Sequence, residues 1–202
     1  MDFLSLKIPQ LSSINLIHAK LEPAWADWRR VRKAQVPDQL YPWLCDRGSL
    51  TAKVTGACGK RPFRVRLLRQ GWGRPLYTEG RMLAMRRGEH AVVREVELLC
   101  GGVPWVFART LIPARSLRGP VRRLTRLGTK PLGAVLFSDP KVERGRMQIA
   151  HLFPRHPLFS SAVARLEQVP QDIWGRRTLY YLDRRPLLVN ELFLPPIPMS
   201  DR

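Results

Sequence analysis

Hydrophobic and polar positions follow a strand period most clearly in three places. In PFRVRLLRQGWG, Phe63, Val65, Leu67 and Arg69 fall on one face against Arg64, Arg66 and Leu68 on the other. Residues 91–113, AVVREVELLCGGVPWVFARTLIP, read as a hairpin, two β-rich runs around Gly101 and Gly102. A last hairpin is expected where RTLYYL turns at Asp183, Arg184 and Arg185 into PLLVNELFL. Upstream the spacing is helical: PAWADWRRVRK, residues 23–33, opens on Pro23 and sets Trp25 and Trp28 one turn apart, predicting a short first helix. Two further helical pieces follow to residue 59, the second capped by Ser49 and stopped at Gly56. Residues 76–90 are read as a short strand with its turns. Residues 119–140 carry helix signals in Pro120 at a first position, Gly128 as a stop and Thr129 as a cap. Between 141 and 173, Pro154, Pro157 and Pro170 confine any helix to FSSAVARLEQV. Sequence-adjacent hairpins with helices grouped before and between them predict one α+β domain over 1–202, with helices on one face or end of an antiparallel sheet. Residues 1–20 and 199–202 are expected to be flexible, and the tail PPIPMSDR unstructured.

The phase of the strands makes certain charges conspicuous. Glu191 runs in phase with Leu187, Val189 and Phe193, and Asn190 with Leu188, Leu192 and Leu194; on the earlier hairpin Arg94 runs with Val92, Val96 and Leu98, while Glu95 and Glu97 take the opposite face. Arg94 and Glu191 are therefore the inward charges. A buried charge needs a partner, a hydrogen-bonded cradle or, for an acid, a proton. Either the two form a structural ion pair, or they are the polar ends of a closed pocket for a small anionic ligand.

Composition narrows the class. The chain has 202 residues, 45% of them hydrophobic and 25% charged, an ordinary soluble balance, but 35 Lys and Arg against 16 acids give a net charge of +19. That field favours anionic partners in general; the arginines are scattered in short clusters rather than gathered into one stripe, which argues against a dedicated nucleic-acid surface. Weak association with an anionic membrane is a second consequence of the charge. Cys45, Cys58 and Cys100 form no C-x-x-C pair and have no histidine at zinc-finger spacing, so no metal is expected and the cysteines are read as inert packing residues. His18, His90, His151 and His156 form no cluster. No G-x-G-x-x-G or P-loop spacing calls for a cofactor. The start lacks the apolar core of a secretory signal, and a reducing cytoplasm is the expected compartment.

Three blocks taken together, VREVELLCGGVPWVFARTLIP, LTRLGTKPLGAVLF and IWGRRTLYYLDRRPLLVNELFLPPIP, resemble the bacterial chorismate lyase family in order and rough spacing from about residue 23 to 198. That resemblance implies a monomer built on a six-stranded antiparallel sheet whose buried site is closed by flap-like helical segments. It also implies a cofactor-free activity: elimination of pyruvate from chorismate to give 4-hydroxybenzoate on the way to ubiquinone. Carried onto matching positions, the family's pattern makes Arg94 the clamp for the ring carboxylate and Glu191 the partner of the hydroxyl end, with Leu132 of KPLG and Leu50 of GSLT touching the ligand through their backbones. Residues 141–173, with HLFPRHPLF, are longer than in the family pattern and suggest an extra surface element.

Other residues have plainer readings. Arg69 lies near a strand end and is expected to snorkel outward; Arg176 and Arg177 are read as exposed turn arginines, with attraction of a second substrate carboxylate as the functional alternative; Trp105 and Trp174 are read as core. The rival functions are a small-molecule sensor domain of the same fold and a basic nucleic-acid-binding protein, the latter marked by steep salt dependence.

Overall fold

The computed structural model describes residues 21–198; residues 1–20, His18 included, and 199–202 lie outside the described residues. Among the described residues seven strands form one antiparallel sheet: β1 (Ala26–Asp27), β2 (Phe63–Gly73), β3 (Ala91–Cys100), β4 (Val103–Pro113), β5 (Val142–Leu152), β6 (Ile173–Leu182) and β7 (Arg185–Phe193), in the order β1-β5-β6-β7-β4-β3-β2. The six-stranded expectation is thus short by one, the two-residue β1 beside β5. Both expected hairpins are present. Gly101 and Gly102 turn β3 into β4 at φ 58° and 87°, and Asp183 and Arg184 turn β6 into β7 at φ 52° and 60°. Positive φ at both central residues matches the twist of the flanking strands.

Helices cover both faces, not one. On one face lie α1 (Tyr41–Cys45), α2 (Leu50–Cys58), the 3-10 segment Gly119–Arg126 and α4 (Leu132–Ser138); on the other lie α3 (Tyr77–Met82) and α5 (Pro157–Val163). In α2, Leu50, Val54 and Cys58 recur every four residues and bury one stripe against Val96 and Leu98 of β3. Ser49 caps it, accepting from the amide of Ala52 at 3.3 Å. The helix runs past Gly56 and ends at Gly59, whose φ of 60° is the left-handed turn a glycine accepts.

Several local expectations give way. Residues 23–33 hold β1 and a 3-10 turn over Trp28–Arg30 in place of a helix, and Tyr77–Met82 is a helix in place of a strand because Glu79 closes its first turn, accepting from the amide of Leu76 at 2.8 Å. Thr129 caps nothing, since Pro131 precedes α4. The stretch 141–173 is not a surface addition: β5 lies inside the sheet, and α5 buries Leu158, Phe159, Ala162 and Val163 against Phe107 and Leu192. Residues 195–198 are ordered, with Ile197 in the core and the carbonyl of Pro198 accepting from the indole of Trp43 at 3.1 Å. Cys58 and Cys100 are joined as a disulfide, not merely packed, leaving Cys45 free among the described cysteines. Trp105 is a core residue as expected, whereas Trp174 is half-buried at the edge of the same cluster, stacked on His151.

Candidate active site

Period two along β3, β4, β6 and β7 aims one set of side chains at the face beneath α2 and α4. Across β3, β4 and β7, Arg94 stands opposite Thr110, and Thr110 opposite Val189; two positions along β7, Glu191 stands opposite Ala108 on β4 and Arg176 on β6. Between this face and the two helices lies a narrow, partly open cavity of about 50 Å³. Its floor includes Arg94, Val96, Ala108, Thr110, Val189 and Glu191; its roof is Leu50 and Thr51 of α2 with Leu132, Gly133, Leu136 and Phe137 of α4. All four residues singled out from the sequence, Arg94, Glu191, Leu132 and Leu50, line this one cavity.

The two inward charges do not pair with each other. Arg94 is 4% exposed, and its guanidinium donates only to neutral oxygens: the side chain of Gln70 at 3.2 Å and the carbonyls of Gly128 at 2.8 Å and Lys130 at 3.2 Å. No carboxylate lies within ion-pair distance among the described residues. Burial pushes its pKa below the usual arginine range, the mark of a cation without a counter-charge. Glu191 instead meets Arg176, whose Nε donates to Oε2 at 2.5 Å. Arg176 is 2% exposed and also donates to the carbonyls of Trp43 and Asp46 in and just after α1. Burial works against its charge, but Glu191, together with Tyr180 and Asp46, outweighs this and its pKa is raised.

Arg176 and Arg177 are therefore buried strand residues, not turn residues. Gly175 lets β6 pass close to β7, since a Cβ there would sit 2.3 Å from Leu192 Cδ2. Arg177 points to the opposite face, where it stacks on Trp25, 4.4 Å from the ring centroid, and donates to Gln148 and Thr78; burial lowers its pKa to about 10. That second face has its own charges, whose pairing the sequence expectations do not include. Arg109 donates to Glu79 at 3.0 Å and to Glu95 at 2.5 Å, and Asn190 donates to Glu79 at 3.0 Å. Glu97 is buried there too, taking Arg66 at 3.1 Å. The network is self-compensated, unlike the cavity.

Gln70 is a site residue that sequence reasoning missed. A bulge between Leu67 and Arg69 shifts the phase of β2 by one, so Gln70 stands opposite Arg94 while Arg69 stands opposite Glu95 and points to solvent. Gln70 is itself oriented, donating to the carbonyl of Thr125 at 2.7 Å.

The described residues contain no group of His, Cys, Asp or Glu that could hold a metal ion. Against known proteins, the chorismate lyase family profile matches residues 23–201. The chain belongs to the chorismate lyase family. Among similar chorismate lyases, a probable chorismate pyruvate-lyase of Aromatoleum aromaticum is 41% identical over 181 residues, covering 88% of this chain and 97% of the relative. A protein of the same description from Azoarcus sp. is 44% identical over 163 residues, covering 79% and 85%. Among solved structures, the effector domain of PhnF from Mycobacterium smegmatis aligns with a TM-score of 0.56 at 18% identity, over 76% of this chain and 93% of that one. That likeness shows a fold shared with this effector domain and carries no function across.

Proposed function

We propose that the protein is a chorismate pyruvate-lyase, converting chorismate to 4-hydroxybenzoate and pyruvate without a cofactor. The observation that carries this reading is the uncompensated guanidinium of Arg94 on the same cavity wall as a carboxylate two strands away. Backbones two strands apart are separated by about 10 Å, room for one ring between the two polar ends. The ring carboxylate takes the fork of Arg94, a planar bidentate contact that a lysine does not reproduce. Glu191, fixed by Arg176, accepts the hydrogen bond of the ring hydroxyl. Leu50 and Leu132, each at the start of a roof helix, offer backbone contacts to the ring between them.

Elimination breaks the bond between the ring carbon and the ether oxygen, and the neighbouring hydroxyl-bearing carbon loses its hydrogen. That hydrogen passes to the methylene carbon of the departing group through a six-membered array. The electron pair of the C–H bond completes the aromatic ring, and the ether oxygen leaves as the ketone of pyruvate. The apolar walls exclude water and strengthen both polar contacts. Purified protein given chorismate should release 4-hydroxybenzoate and pyruvate in equal amounts, and deuterium placed on the hydroxyl-bearing carbon should appear in the methyl group of pyruvate. No pyruvate release would sink the assignment; deuterium lost to solvent would move the proton transfer to Glu191.

The same reading has the enzyme act as a monomer in the cytoplasm. No helix of the described residues is long and apolar enough to cross a membrane. The net charge of +19 is read as supporting weak, sequence-independent attraction to anionic surfaces and no specific nucleic-acid recognition. Co-sedimentation with anionic vesicles at low ionic strength, lost at about 0.5 M salt where exposed charges are screened, is the expected behaviour; retention at high salt would contradict it.

A further inference from the structure

One cation just outside the cavity, behind Tyr180, has no role in the chemistry above. Arg144 of β5, half-buried, donates to the carbonyls of Arg47 and Gly48 in the turn before α2 and to the hydroxyl of Tyr180 at 3.0 Å. Its guanidinium lies over the rings of Phe137 and Tyr180, 5.3 and 5.4 Å from their centroids. Among the described residues no carboxylate pairs with it; the nearby Asp139 is taken by Arg123 at 3.5 Å.

Tyr180, Leu136 and Phe137 form a shared wall. On one side they line the cavity, and on the other a depression open to solvent that also includes Arg47 and Arg144. The hydroxyl oxygen of Tyr180 accepts from Arg144, and its own proton has no acceptor among the described residues. Burial, and then the nearby Glu191, raise the pKa of Tyr180, so the phenol keeps that proton. A neutral hydroxyl that accepts from a guanidinium on its outer side has its donor left for an anion on its inner side.

The order across the sheet adds direction. Arg94 stands on β3, Glu191 on β7, Tyr180 on β6 and Arg144 on β5, all on the face beneath α2 and α4. A ring held between Arg94 and Glu191 therefore has Tyr180 and Arg144 beyond its hydroxyl end. Chorismate carries its second carboxylate on the side chain attached next to that hydroxyl.

We propose that Tyr180 and Arg144 form a second carboxylate subsite, which takes the enolpyruvyl carboxylate of the substrate and then the carboxylate of departing pyruvate. The subsite rests on the lyase reading above. It discriminates substrate from aromatic product, because 4-hydroxybenzoate has no carboxylate at that end.

This asymmetry supplies the test. Tyr180→Phe and Arg144→Met should each raise KM for chorismate by about tenfold, the weight of one hydrogen bond to a charged group, while the affinity for 4-hydroxybenzoate, read by tryptophan fluorescence, stays within about twofold, since no contact to it is lost. Competitive inhibition by pyruvate should weaken in both. If either variant leaves KM unchanged, or if affinity for 4-hydroxybenzoate falls in step with that for chorismate, the residues are only wall and latch, and the subsite is overturned. Should Arg144→Met fail to fold, Tyr180→Phe, which keeps the ring in place, decides alone. Failure of the unaltered protein to turn over chorismate would instead remove the lyase reading itself, a separate result.

Discussion

Arg94→Ala is expected to remove measurable binding of 4-hydroxybenzoate while leaving the fold intact. The guanidinium is the single cationic group on the cavity floor, and its bonds to Gln70, Gly128 and Lys130 hold it in place without neutralising it. Truncating one member of a buried, hydrogen-bonded charge pair costs about 2–5 kcal/mol, so affinity should fall by roughly 30-fold or more. The folded state pays little, because in the unliganded protein the lost group is an uncompensated charge whose desolvation opposed folding. The two effects are separable in one thermal experiment. For the unaltered protein, ligand at about 100 times its dissociation constant should add about 2.7 kcal/mol of stability; the variant should show the unliganded midpoint within a few degrees and no increment from ligand. Arg94→Lys keeps the charge and loses the fork, and should recover only part of the affinity. If Arg94→Ala lowers stability sharply yet still binds ligand, the guanidinium is structural and the site lies elsewhere.

How far such a site can be read before folding depends on what sets each residue's direction. Arg94 and Glu191 were legible because β3 and β7 keep unbroken phase, and apolar neighbours two positions away mark the buried face. Their partners were not. The glycine before it makes Arg176 read as a turn residue, but the turn lies at Asp183 and Arg184. A two-residue turn puts Leu182 opposite Arg185, and counting back along both strands then sets Arg176 opposite Glu191; allotting Arg185 to the turn loses that register. Gln70 was hidden by a bulge, which period-two reasoning cannot locate because one extra residue exchanges the faces. The second charged face escaped for another reason. Glu95 and Glu97 fall opposite Arg94 and Asn190 runs with Leu188, Leu192 and Leu194, but the strand phase does not show what covers that face; α3 and α5 do, and Glu79 arrives from a helix absent from the sequence pattern. Hairpins and inward phase are local properties of the chain; ion-pair partners across strands depend on register, and the roof of the cavity depends on how two helices far apart in sequence meet over the sheet.

Glu191→Gln should separate catalysis from folding only when Arg176 is changed with it. The substitution keeps an acceptor toward the ring hydroxyl but removes the negative charge, and turnover should fall by about 10²- to 10⁴-fold, the range for loss of a positioned acid–base or electrostatic group. Alone, it also strands Arg176, which is 2% exposed and left with the carbonyls of Trp43 and Asp46 as its other acceptors. Breaking a buried pair from one side destabilises by about 3–5 kcal/mol, so the single variant loses activity and stability together and by itself distinguishes nothing. Arg176→Met combined with Glu191→Gln removes both members. An apolar side chain of similar length in place of the guanidinium restores most of the stability, because replacing a buried pair by packed apolar groups is often neutral or better. Activity should not return, since the carboxylate facing the ring is still missing. Denaturant midpoints and kcat for the two variants are the measurements that decide: recovery of both quantities in the double variant would make Glu191 a structural partner of Arg176 and nothing more, whereas recovery of stability alone leaves the carboxylate with its role at the hydroxyl end of the substrate.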